Sequence, residues 1–164
     1  MSEPNTTPQV TMQQLVTLAT GTGFGLAICA TVLALLGLLL PFVSISTNMG
    51  LGGLDQSGSF NGFAAAGWVA WLASLIFALA AASGRVTQLA PYRNILSLAG
   101  LVASVVTVLF GWFLSPAAAQ FAEVNRALSS AGSPGNLINI GPHIGMVVLL
   151  AAGALLYWSS RKPA

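Results

Sequence analysis

The sequence predicts an all-α membrane protein built as a bundle of four transmembrane helices, and three observations predict it. Of the 164 residues, 55% are hydrophobic and 5% charged, far below the roughly one quarter that is charged in soluble domains. Four apolar stretches, at residues 21–40, 63–82, 95–114 and 138–158, contain no Asp, Glu, Lys or Arg. Each is about 20 residues long, which at about 1.5 Å per residue covers a hydrocarbon core of about 30 Å. The five bases are distributed unevenly: Arg85 and Arg93 follow the second stretch, Arg161 and Lys162 follow the fourth, and Arg126 alone falls in the third connection. By the positive-inside tendency, four spans with that distribution place both termini in the cytoplasm, and a bacterial inner membrane is the expected location.

The polar leader carries Thr7-Pro8, a helix cap followed by proline at the first helical position. Met12, Leu15, Val16 and Ala19 share a helical face after it, the pattern of a short interfacial turn. The leader has no Lys or Arg, so the first apolar stretch reads as a mature helix rather than a cleaved signal. That helix ends at Pro41. Val43-Ser44-Ile45-Ser46-Thr47 then alternates apolar and polar residues before a glycine-rich piece, which predicts a small β-hairpin in the first outer loop. After the third span, Ser115-Pro116 opens and Gly132 closes a short amphipathic outer helix that presents Phe121, Val124 and Leu128 on one face. Those three residues are the candidate partner-binding surface. Trp68, Trp71 and Trp112 fall toward one end of their helices, and Tyr92, Tyr157 and Trp158 toward the other, as in aromatic belts at the two membrane interfaces. The chain forms one domain.

Small residues recur at alternating three- and four-residue steps. The first helix has Gly23, Ala27, Ala30, Ala34 and Gly37; the second Gly67, Ala70, Ser74, Ala78 and Ala81; the third Ser97, Gly100, Ser104, Thr107 and Gly111. In lipid, helices associate by close backbone approach and hydrogen bonding, so these stripes are expected to be packing faces.

Catalytic chemistry is not expected. Paired carboxylates, a nucleophile elbow, a P-loop and a dinucleotide fingerprint are missing from the sequence. His143, the single histidine, stands where the fourth helix begins; an axial ligand to a haem or pigment is its functional reading and a polar interfacial residue the ordinary one. It has no partner donors nearby in sequence for a metal site. Cys29 is the single cysteine and reads as a small packing residue. Asp55 is a turn residue of the first outer loop, because Ser57, Ser59 and Phe60 replace what a calcium loop needs. No cofactor is expected, and five scattered bases make no nucleic-acid surface. No ionisable ladder in the spans marks a proton path or a voltage sensor.

The run Leu40-Pro41-Phe42 before a glycine-rich loop, Asn61-Gly62-Phe63 leading to Gly67-Trp68, and Gly141-Pro142 opening the last helix resemble small bacterial four-span membrane proteins of uncharacterised function. The layout is also similar to that of claudin-like tetraspan proteins, without the cysteine pair and Trp of the claudin loop; the resemblance implies topology and no sealing or pore activity. The function expected is that of a non-catalytic membrane subunit, with lipid and other membrane proteins or copies of itself as partners. A small transporter or channel component is the alternative.

Overall fold

The structure, a computed structural model, describes residues 22–47, 57–114, 116–130 and 138–162. The expected leader helix turn and Asp55 lie outside the described residues.

Helix α1 (Gly23–Leu39) starts where the Thr22 hydroxyl accepts from the Gly25 N–H at 3.1 Å and stops before Pro41, which holds Leu40 extended. Strand β1 (Pro41–Thr47) follows, then β2 (Ser57–Asn61). Asn61 also caps the five-residue helix α2 (Gly62–Ala66), accepting from the Ala64 N–H at 2.8 Å. At Gly67 the backbone takes φ +55°, and α3 (Trp68–Ala82) starts afresh. After a 3-10 turn at Ala90–Tyr92 comes α4 (Arg93–Leu109), extended through a π-turn at Phe110–Leu114. Helix α5 (Pro116–Ser130), strand β3 (Ile138–Pro142) and helix α6 (Ile144–Ser159) complete the chain.

Four of these helices close into a ring, α1 against α6, α6 against α4, α4 against α3 and α3 against α1. Their shared core contains Ala30, Ala34, Leu38, Phe77, Leu149, Ala152 and Leu156. A three-stranded antiparallel sheet in the order β2-β1-β3 sits at one end of the ring. A bulge between Pro41 and Val43 shifts the β1–β2 register, and Phe42 at that bulge is fully buried.

This overturns the four-span, all-α bundle expected from the sequence. Among the described residues one helix, Ala90–Leu114, is long and apolar enough to cross a membrane; 28% of its most apolar window is buried, unlike the core helix of a soluble protein. The other apolar helices have 17, 15 and 16 residues, which at the α-helical rise give about 22–26 Å against a hydrocarbon core of about 30 Å. Two of the losses have a local cause. Gly67 cuts the 63–82 stretch in two. Residues 138–142 are extended and paired with β1, from Val43 opposite Pro142 to Thr47 opposite Ile138, so the 138–158 stretch surrenders its first turn and more to a strand. The hairpin expected in the first loop is accordingly two strands of a three-stranded sheet whose third strand comes from the other end of the chain.

Candidate functional site

The small-residue stripes take different places. Gly23, Ala27, Ala30, Ala34 and Gly37 are all buried in α1, as are Ser97, Gly100, Ser104, Thr107 and Gly111 in α4 and its π-turn. In the second stripe Ala70 is buried, Gly67, Ser74 and Ala81 are half-buried and Ala78 is exposed. The buried face of α3 is Val69, Ala70, Ala73, Phe77 and Ala80, one position away from the small-residue stripe beyond Ala70. Sequence reasoning passed over the face of α6, where Gly145, Met146, Leu149, Ala152, Gly153, Leu156 and Ser159 are buried. It mixes large and small residues and so has no small-residue signature. A Cβ on Gly37 would stand 2.8 Å from the Leu149 nitrogen, and one on Gly145 2.5 Å from the Gly37 carbonyl oxygen, so α1 and α6 touch through their backbones. Leu156 fills the space beside Gly100, and the Ser104 hydroxyl that beside Gly153.

The hydroxyls of this core are turned onto backbone carbonyls. Ser97 donates to Arg93 at 2.7 Å, Ser104 to Leu101 at 2.7 Å, Thr107 to Ala103 at 2.7 Å and Ser159 to Leu156 at 2.6 Å. Thr31 reaches both Ala27 (2.9 Å) and, across the helix pair, Phe77 (3.2 Å). Among the described residues no buried side-chain nitrogen or oxygen is without a partner. The arrangement satisfies polar groups in an apolar setting and leaves none aimed at a solute.

The ends of the ring differ. At one, Arg93 donates to the Ser159 carbonyl at 2.7 Å, placing a cation on the negative end of α6. Gly23 lies against that guanidinium and against the Ser159 and Lys162 carbonyls, since no Cβ would fit there. Arg85 sits 4.6 Å over the Phe24 ring and Arg161 4.9 Å over Tyr157, the contacts of cations with aromatic faces. Residues Gly23, Arg85, Arg93, Arg161 and Lys162 thus share one basic end. At the other end are the sheet, α5, and an aromatic group in which Phe63 meets Trp71 and Trp112 stacks on Phe113, each at 4.8 Å, with Trp68 edge-on to Phe110 at 6.3 Å. Trp68 and Trp71 are each 68% exposed.

Between the ends, the outer faces of the helices are apolar and exposed, with Val32 51%, Leu39 62%, Leu75 56% and Val102 52% accessible.

His143 caps α6, its Nδ1 accepting from the Ile144 N–H at 2.9 Å, while its backbone N–H donates to the Phe42 carbonyl at 3.1 Å. A neutral ring that accepts at Nδ1 carries its proton on Nε2, so in this pose it presents a donor rather than a lone pair. Among the described residues no three His, Cys, Asp or Glu side chains come together. Cys29 is a half-buried free thiol on α1. Of the partner-face residues, Val124 is exposed on α5; Phe121 and Leu128 belong to the same helix, and their side chains lie outside the described residues.

No family model, curated protein or solved structure matches this chain.

Proposed function

We propose that this chain is a non-catalytic integral membrane subunit that packs within a larger membrane protein assembly or with copies of itself. The observation that carries the reading is the apolar outer surface between a basic end and an aromatic-rich end. Exposed faces bearing Ile28, Val32, Leu36 and Leu39 on α1 and, across the ring, Ile95, Leu98, Val102 and Val105 on α4 are stable when covered by lipid or protein and a liability in water. The Ala90–Leu114 helix is the crossing element, with α3 and α6 packed along it and α1 packed on those two. The basic end faces the cytoplasm by the positive-inside tendency, with the sheet and α5 on the far side. Partner contacts are made by the α5 face of Phe121, Val124 and Leu128.

The feature that favours a transporter or channel component is the column of Ser97, Ser104 and Thr107 in the core. Their donors bond backbone carbonyls, which supports packing instead. The two readings separate on purification in mild detergent followed by mass spectrometry of co-migrating proteins. A subunit should hold a stoichiometric partner or a homo-oligomer that is lost when Phe121 and Leu128 are both changed to Ser. Solute flux in liposomes by the isolated wild-type chain, with nothing released by that double variant, would establish the transporter instead.

A further inference from the structure

A groove of about 470 Å³ opens at the basic end between the start of α4 and the end of α6, lined by Asn94, Ile95, Leu98, Tyr157, Ser160 and Arg161. Its size falls within the roughly 300–1,000 Å³ of small-molecule sites. We propose that it holds the phosphodiester headgroup and upper acyl chain of an anionic phospholipid. The inference rests on the membrane reading above and adds to it a ligand class and a site.

The polar rim is rich in donors. Arg161 uses one guanidinium N–H on the Tyr157 oxygen, which leaves its other N–H groups, the Tyr157 hydroxyl proton and the Asn94 amide for an acceptor. Ser160 is already turned to the Tyr157 carbonyl at 2.8 Å. The one described carboxylate, Glu123, is on α5 at the sheet end, so no acid competes for Arg161 among the described residues. Arg93 at the adjoining helix ends adds to the positive field. A planar guanidinium with free N–H groups is suited to the paired oxygens of a phosphodiester. Below the rim the wall turns apolar: Ile95 and Leu98 are one helical turn apart and 64% and 50% exposed. Tyr92, just before α4, and Trp158 on α6 are 56% and 64% exposed and mark the interfacial level. Free phosphate would use the rim and leave the apolar wall bare, whereas a phospholipid uses both. Basic pockets between helices on the cytoplasmic side are suited to anionic headgroups.

The test uses the full chain in nanodiscs of phosphatidylcholine with a minor fraction of phosphatidylglycerol, read by native mass spectrometry of retained lipid. Phosphatidylglycerol should be enriched over phosphatidylcholine, and Arg161→Gln should lower that enrichment roughly tenfold, the loss of one charge-assisted contact. Arg161→Lys should retain part of it, and Arg126→Gln, at the other end, all of it. Inorganic phosphate added in excess should leave the bound lipid in place. Displacement by phosphate would show a rim-only anion site and overturn the lipid assignment. Equal retention of both lipids by the wild type, or unchanged enrichment in Arg161→Gln, would overturn the site while leaving the membrane reading intact. Release of the wild-type chain from membranes by alkaline carbonate would instead remove the membrane reading itself.

Discussion

At Gly145 two opposing effects meet in one residue. Alanine in a helix is ordinarily favoured over glycine by about 1 kcal/mol. Here the added Cβ would stand 2.5 Å from the Gly37 carbonyl oxygen and 2.8 Å from that of Pro41, both backbone atoms that cannot swing aside. Overpacking of that kind costs about 1–3 kcal/mol, so Gly145→Ala should lower stability despite its better propensity. Val147→Ala, on the exposed face of the same helix, should stay within about 0.5 kcal/mol. Thermal unfolding in detergent followed by helical circular dichroism measures both; equal melting of the two variants would remove the close contact between α1 and α6. The α1 side of that contact is legible in the sequence because five small residues repeat at helical steps. The α6 side is not, because its buried face mixes Gly145, Ala152 and Gly153 with large residues such as Met146, Leu149 and Leu156. A stripe of small residues marks a face for close approach, and a single sequence does not show which neighbour it meets.

The departure from four spans comes from where elements stop. Hydropathy registers the apolar character of residues 63–82 but not the backbone at Gly67, whose φ of +55° and ψ of −128° suit glycine. A Cβ there would meet open space, so any penalty for Gly67→Ala is backbone strain alone. It should destabilise the fold by about 1–3 kcal/mol. Gly58→Ala, also in open space and without the positive φ, should be nearly silent. Chemical denaturation in detergent compares them, and a silent Gly67→Ala would mean that α2 and α3 can join into one helix. Strand β3 was more accessible to inspection: Ile138-Asn139-Ile140 alternates as a strand does. Its neighbours make it look like the start of an apolar helix, and its pairing with β1, nearly a hundred residues away as in Ser44 opposite Gly141, is non-local.

For the molecule as a whole, charge was a better guide than length. The four bases that the sequence assigns to one side are gathered at one end because α1 and α4 begin there and α3 and α6 finish there. That arrangement needs only antiparallel helices, and it survives the finding that three of them are shorter than a hydrocarbon core of about 30 Å. The proposed orientation therefore turns on the two ends and can be read with single cysteines in a Cys29→Ala background. Ser57 on β2, Ser129 on α5 and Gln88 in the α3–α4 connection are all exposed, so burial will not mask a reaction. An impermeant maleimide added to intact cells should label cysteine at positions 57 and 129 at once, and at 88 only after the membrane is opened. Labelling at 88 alone would reverse the orientation. Immediate labelling at all three would mean that both ends share one aqueous side, and the crossing assigned to Ala90–Leu114 would have to be given up, since a helix with its two ends in one compartment lies along the bilayer or outside it.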